Sequence, residues 1–226
     1  MADLDEPVLD ADDAHHLQRV MRLRDGEELT VSDGAGRWRR CRCRFVGGGR
    51  AARLEAVGPV RTAARPSPEI AVALAPAKGE RMSWATQKLT ELGVDVIVPM
   101  ATARSVVRWE GDRATAHVER LRKVAREAAM QSRRAWLPLV EEMVAFDDVA
   151  SRPGAVLAAP GGGPPSLARP LVLVGPEGGW EDAELGRGLP RLGLGPLVLR
   201  TETAAVAASA VLAALRAGTV RPADAS

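Results

Sequence analysis

From residue 70 onward, short apolar runs alternate with longer amphipathic ones, and this alternation limits the possible folds more than any other feature of the chain. Ile70-Ala-Val-Ala-Leu74 reads as a strand, residues 80–92 as a helix stopped by Gly93, and Val94-Asp-Val-Ile-Val-Pro99 as a second strand. Residues 113–134 fit a long helix with Val118, Leu121, Val124 and Ala128 on one side. Short strands are expected at 137–140, 155–159, 171–174 and 197–199, and an Ala-rich helix at 203–217. Brief apolar strands between helices predict an α/β fold: a mainly parallel sheet with helices on both faces.

The preceding residues read differently. Glu28-Leu-Thr-Val-Ser32 is short and alternating, Asp33-Gly-Ala-Gly36 is a turn signal, and residues 38–46 form a longer strand. In that strand Cys41, Cys43 and Phe45 share one face, while Arg40, Arg42 and Arg44 share the other with Trp38 in phase. Gly47-Gly-Gly49 ends it, and residues 51–57 suit a further strand. Ahead of these, residues 15–23 read as a short helix, with Leu17, Val20 and Met21 at helical spacing. The whole suggests a small β-barrel. Arg61-Thr-Ala-Ala-Arg-Pro-Ser-Pro68 has the composition of an extended linker. Two domains are therefore expected, 1–66 and 67–226. Gly161-Gly-Gly-Pro-Pro165 reads as a short loop within the second.

The chain has 226 residues, 46% of them hydrophobic, which suffices for a core and argues against global disorder. Net charge is only +2, so the total does not announce a nucleic-acid binder. The distribution says more. Acids crowd the first thirteen residues, whereas Arg37, Arg39, Arg40, Arg42, Arg44, Arg50 and Arg53 follow one another with no acid between them. Cys41 and Cys43, two apart on one strand face, are poorly placed for a disulfide, and two ligands do not close a zinc site. No apolar leader and no run of about 18 apolar residues is present, so a reduced, cytoplasmic protein without a membrane span is expected.

Six groups of residues could carry chemistry. Gly175-Pro-Glu-Gly-Gly-Trp180 follows a strand directly, where ligands sit in open α/β sheets. It is neither a Walker A loop nor GxGxxG, and a tight strand-to-helix turn explains it equally. Leu194-Gly-Pro-Leu-Val-Leu-Arg-Thr-Glu-Thr-Ala204 places a polar cluster at a helix start. There Thr201 or Thr203 can cap and Glu202 suits the first turn; Arg200 is harder to explain structurally. Lys78, Arg81, Gln87, Lys88 and Glu91 fit a solvated helix face, or a site. Arg104-Ser-Val-Val-Arg108 follows the second strand, and Gln131-Ser-Arg-Arg134 ends the long helix, where cations also favour the helix dipole. Finally, the Arg face beside Trp38 suits phosphate contact and base stacking, or simply a solvated strand. His15 and His16 have no metal-ligand spacing around them, and no Ser-His-Asp or Cys-His order appears.

Taken in order, these pieces resemble the ribosomal RNA small subunit methyltransferase E family of the SPOUT superfamily. The resemblance is carried by His15-His-Leu-Gln-Arg-Val-Met-Arg-Leu-Arg24 with Gly26, Lys78, Gln87-Lys-Leu-Thr-Glu-Leu-Gly93, Arg104-Ser-Val-Val107, Glu127-Ala-Ala-Met-Gln-Ser-Arg133, and the two loops at 175–179 and 194–204. It implies a PUA-like RNA-binding barrel, a trefoil-knotted α/β methyltransferase domain, and a homodimer joined at the knot. It also implies S-adenosylmethionine as cofactor, without a metal, and N3-methylation of a uridine in 16S rRNA of the assembled small subunit. By matching position, Leu173, Gly175, Pro176, Glu177, Gly178 and Gly179 form one cofactor wall, and Leu194, Gly195, Leu199, Arg200, Thr201, Thr203 and Ala204 another. A third loop begins near Ala159. Arg200 or Arg104 is the candidate for stabilising the uridine anion, and Glu202 the candidate base. Arg22, Arg24, Arg40, Arg42, Arg104, Gln131 and Arg133 are the candidate RNA contacts. The chain departs from the family pattern at Leu197, where a basic residue is usual, and at Met130, where an acid is common. A methyltransferase acting on another RNA, or a non-catalytic RNA-binding protein with this fold, are the alternatives.

Neutralising Arg22, Arg24, Arg40 and Arg42 is expected to weaken RNA binding and to flatten its salt dependence. An unchanged slope of affinity against salt in a filter-binding titration would remove these arginines from the interface.

Overall fold

The computed structural model describes Leu4, Asp5, Pro7, residues 23–46 and residues 51–221. The helix expected at 15–23, His15, His16 and Arg22 lie outside the described residues. The chain divides into two compact units. One comprises the described residues up to Arg65 together with Arg133–Leu137; the other comprises Pro66–Ser132 and the chain from Pro138 onward.

The first unit is an antiparallel sheet of four strands: β1 (Glu28–Ser32), β2 (Arg37–Val46), β3 (Ala51–Ala56) and β4 (Arg61–Thr62), ordered β1-β2-β3 with β4 pairing β2. The expected facing holds. Cys41 and Cys43 are fully buried with free thiols, and burial pushes both above the ordinary thiol range. Arg40 and Arg42 point outward to Glu28, at 3.6 and 3.2 Å, and Arg44 reaches Asp25 and Glu55. Arg133–Leu137 joins this unit through a backbone bridge between Ala35 and Trp136. The Trp136 indole lies where a side chain on residue 36 would be, because a Cβ on Gly36 would meet it at 2.4 Å. Its Nε1 donates to the Ala63 carbonyl at 3.0 Å.

The second unit contains a seven-stranded sheet in which every recorded pairing is parallel. In chain order its elements are β5 (Ala71–Leu74), α1 (Arg81–Glu91), β6 (Val96–Ala101), α2 (Gly111–Gln131), β7 (Leu139–Val140), β8 (Val144–Ala145) and α3 (Phe146–Ala150). Then follow β9 (Ala155–Gly163), β10 (Leu171–Val174), α4 (Asp182–Leu185), β11 (Arg191–Leu192) and α5 (Thr201–Arg216). The sheet order is β11-β9-β10-β5-β6-β7, with β8 also pairing β6. Alternate residues of each central strand point to opposite cores. Val72, Val156 and Val172 pack with Leu89 of α1, Leu121 of α2 and Leu212 of α5. Ala73, Leu157 and Leu173 pack on the other side with Phe146 and Val149 of α3 and with Trp180.

Three expectations are corrected. Residues 197–199 are not a strand; Leu197 and Val198 are 78% and 95% exposed. The position beside β9 is filled instead by Arg191–Leu192. The loop expected at 161–165 is in part strand: β9 runs on through Gly163, and Gly193 N–H donates to the Gly163 carbonyl at 2.8 Å. Only glycine allows this, since a Cβ on Gly162 would lie 2.4 Å from the Leu192 carbonyl carbon. The long helix stops at Gln131, and Arg133 takes a left-handed φ of 56°. On its buried side Ala125 stands where Val124 was expected.

Arg216 closes the base of this unit. It pairs with the buried Asp95 carboxylate and donates to the carbonyls of Pro68 at 3.1 Å and Gly93 at 2.6 Å, while Asp95 accepts the Ile70 N–H at 3.0 Å. Arg216→Met leaves a buried carboxylate without its cation, and the expected loss of unfolding free energy in urea is roughly 3–5 kcal/mol. A loss below about 1 kcal/mol would show that the pair contributes no more than an exposed one.

Candidate active site

In a parallel sheet the carboxyl ends of the strands share one edge, and the segments leaving β9, β10 and β11 meet there. The Gly175-Pro-Glu-Gly-Gly179 loop leaves β10. Gly175 is covered by the Trp180 ring, which a Cβ would approach to 3.0 Å, and Trp180 Nε1 donates to the Ala158 carbonyl in β9 at 2.9 Å. Gly179 has φ 71° and Gly195 has φ 110°, backbone states that favour glycine. The Thr201 hydroxyl donates to the Gly175 carbonyl at 2.9 Å and so ties the start of α5 to the glycine loop.

That bond corrects the expected capping. α5 begins at Thr201, Arg200 occupies the N-cap position, and no side chain caps the helix. Thr201 serves the neighbouring loop instead. Glu202 is 8% exposed, and its Oε2 has no hydrogen-bond partner among the described residues. Its Oε1 lies 3.7 Å from Arg81 Nε, and Arg81 Nη1 donates to Glu177 Oε1 at 2.8 Å. Arg81 thereby links both loops. The sequence left it between a solvated helix face and a site, yet a signal was available: a cation in the first turn of a helix opposes the dipole and needs acids nearby.

Arg104 also reaches the site, donating to the Gly178 carbonyl at 3.3 Å, with its Cβ against Gly178. The segment that carries it is held by Glu184, whose carboxylate accepts the N–H groups of Ala103 and Glu181. Arg200 and Thr203 are exposed at the mouth, while Leu194, Leu199 and Ala204 pack against the core beneath. The Leu173 side chain is fully buried in the opposite core, so this residue can offer a ligand only its backbone. Gln131 stands apart, in a groove between α1 and α2 with Gln87 and Trp84. Arg24, Arg40, Arg42 and Arg133 belong to the first unit. Among the described residues no group of His, Cys, Asp and Glu is placed to hold a metal.

A glycine-lined edge beside a buried carboxylate with one oxygen left unbonded among the described residues is a site for a ligand that backbone must approach closely. Residues 65–213 match the model of an RNA methyltransferase domain, and residues 9–43 match that of an RNA methyltransferase PUA domain. A Mycobacterium bovis protein named ribosomal RNA small subunit methyltransferase E is 35% identical over 89% of this chain and 83% of its own length. The Bacillus subtilis protein of the same name is 31% identical over 85% and 84%. The Neisseria gonorrhoeae enzyme of that name, solved bound to S-adenosyl methionine, superposes with a TM-score of 0.77 at 29% identity, covering 92% of this chain and 90% of that one. A Legionella pneumophila methyltransferase in complex with the same cofactor gives 0.80 at 29%, with 95% of each chain covered. The chain is an RNA methyltransferase by class. It belongs to the ribosomal RNA small subunit methyltransferase E family.

Thr201→Val keeps the shape of the side chain and removes the donor to Gly175. The expected cost is about 1 kcal/mol in urea unfolding, and the Gly175 loop should become more open to protease. Unchanged stability together with unchanged cleavage would contradict the tie.

Proposed function

We propose that this chain methylates N3 of a uridine in 16S rRNA, within the assembled small subunit, with S-adenosylmethionine as methyl donor. The observation that carries the reading is the juxtaposition of the Gly175–Gly179 loop, the 194–204 segment and the buried Glu202 at one sheet edge. The relatives' names supply the substrate class and the cofactor.

The residues fit the cofactor. Gly175, Pro176, Glu177, Gly178 and Gly179, with the backbone of Leu173, line one side; Leu194, Gly195, Leu199, Arg200, Thr201, Thr203 and Ala204 line the other. The cofactor, when bound, supplies a sulfonium methyl group that passes to N3 while the thioether departs. Everything else falls to the protein. N3 carries a proton near neutral pH, so attack requires its removal and stabilisation of the resulting anion. Glu202 is the base in this reading: its Oε2 is buried with its acceptor capacity unused, and Arg81 holds its other oxygen. Arg104, on the Gly178 carbonyl, and Arg200, at the start of α5, are the cations proposed to stabilise the uridine anion. Positioning nucleophile and methyl group in line supplies much of the remaining acceleration.

The first 66 residues are the RNA-binding domain in this reading, and 67–226 the methyltransferase domain with the trefoil knot. Arg22, Arg24, Arg40, Arg42 and Arg133, with Arg104 and Gln131 on the second unit, are its RNA contacts. The exposed Leu197 and Val198 support a homodimer that covers this part of the chain, since apolar side chains so open to water mark contact surfaces. The reaction takes place in the cytoplasm, where the small subunit is assembled.

Two measurements test the reading. Incubation with radiolabelled S-adenosylmethionine and small subunits from a strain lacking its own uridine methyltransferase should place label in N3-methyluridine at one site. Label in another nucleoside would keep the enzyme class and replace the substrate; no label and no cofactor binding would favour a non-catalytic RNA-binding protein. Glu202→Gln should lower kcat by about 10²-fold or more with cofactor affinity retained. Full activity of that variant at every pH would withdraw Glu202 as the base.

A further inference from the structure

Along the same sheet edge, next to the glycine loop, the segments leaving β5 and β6 enclose a second groove of about 380 Å³. Its floor is apolar, with Ala77, Met82 and Leu121. Its walls are cationic. Lys78 comes from the turn after β5, Arg108 from the segment after β6, and Arg113 from the first turn of α2. All three are exposed and have no hydrogen-bond or ion-pair partner among the described residues. The carboxylate on the lining, Glu80, is already paired with Arg120, so it does not neutralise them. Trp109 and His117 stand in the same wall as a stacked pair, 4.6 Å between ring centroids and 15° between planes.

Three unpaired cations beside an aromatic pair suit a flexible polyanion with planar bases. Cations contact successive phosphates, and an aromatic face accepts a base of any identity. Arg113 adds to this, because a cation in the first turn of α2 opposes the helix dipole, and a phosphate placed beside it offsets that opposition. The groove also leads to the site. Arg81, one turn of chain after Lys78, reaches Glu177 and Glu202, and Arg104, four residues before Arg108, reaches Gly178.

From these positions we infer that the groove of Lys78, Arg108, Arg113 and the Trp109–His117 pair holds the single-stranded RNA immediately flanking the target nucleotide. The inference rests on the RNA methyltransferase reading above and adds the strand's path to it. Phosphates lie against the three cations, and one flanking base stacks on the aromatic pair. The groove therefore contributes to RNA binding and not to cofactor binding or to the methyl transfer itself.

The test uses the full chain and the triple variant Lys78→Ala, Arg108→Ala, Arg113→Ala. Binding of a short uridine-containing single-stranded RNA is titrated against salt, cofactor binding is followed by calorimetry, and kcat and KM are separated on the small subunit. Removing three phosphate contacts should make the slope of log affinity against log salt shallower by about 2. KM for RNA should rise at least about tenfold, with cofactor affinity and kcat at saturation retained. A second measurement needs no variant: an RNA carrying photoactivatable 4-thiouridine next to the target, irradiated with the wild-type protein, should cross-link within residues 107–120. An unchanged salt slope and KM in a triple variant that still binds cofactor, or cross-links confined to other segments, would overturn the groove while leaving the enzyme class intact. Wild-type protein that neither binds nor methylates RNA would overturn the groove and the methyltransferase reading together.

Discussion

The hydroxyl of Thr201 on the Gly175 carbonyl is the contact around which the site is arranged. It fixes the entry to α5 against the loop that leaves β10, and the other features follow from that closeness. Glu202, the next residue, is carried into the interior with one oxygen unpartnered. Burying a carboxylate is costly unless it is paired, and Arg81 half meets that need from α1 while holding Glu177 with the same guanidinium. Three stretches far apart in sequence are thereby held as one cluster.

The parallel sheet supplies the rest. Because its strands run the same way, the segments after β5, β6, β9, β10 and β11 emerge at one edge, and the glycine loop, Arg81, Arg104, Thr201 and Glu202 lie on them. Glycine permits the closest approaches. At Gly162 the backbone of β9 lies so near Leu192 and Gly193 that no side chain fits, and at Gly175 the Trp180 ring takes the space of a Cβ. Backbone meets backbone at Gly162 and an aromatic ring at Gly175.

Much of this was legible in the sequence, for physical reasons that differ by element. β1, β10 and the body of α1 stood out because their apolar period matches their burial, and Gly93 marked a helix end that requires positive φ. The two loops were visible as a glycine cluster and a polar triplet at a helix start, patterns that a turn and a helix cap also explain. What stayed hidden depended on contacts distant in sequence. Leu197-Val-Leu199 has strand composition, but Arg191–Leu192 takes the place beside β9, and Leu197 and Val198 lie in solvent while Leu199 packs on the core. Thr201 looked like a cap because local hydrogen bonding is what a sequence displays; its partner, 26 residues earlier, is not. Trp136 reads as an ordinary aromatic until Gly36, a hundred residues before it, is found beneath its ring.

In the proposed function, the 175–180 and 193–204 segments, with the end of β9, close around S-adenosylmethionine. Amide hydrogen exchange with and without the cofactor tests it most directly, because it reads backbone protection segment by segment and needs neither RNA nor a variant. The account predicts slowed exchange in those three segments, with the four-stranded sheet of the first unit unaffected. Protection confined to other parts of the chain, or none at saturating cofactor, would contradict it.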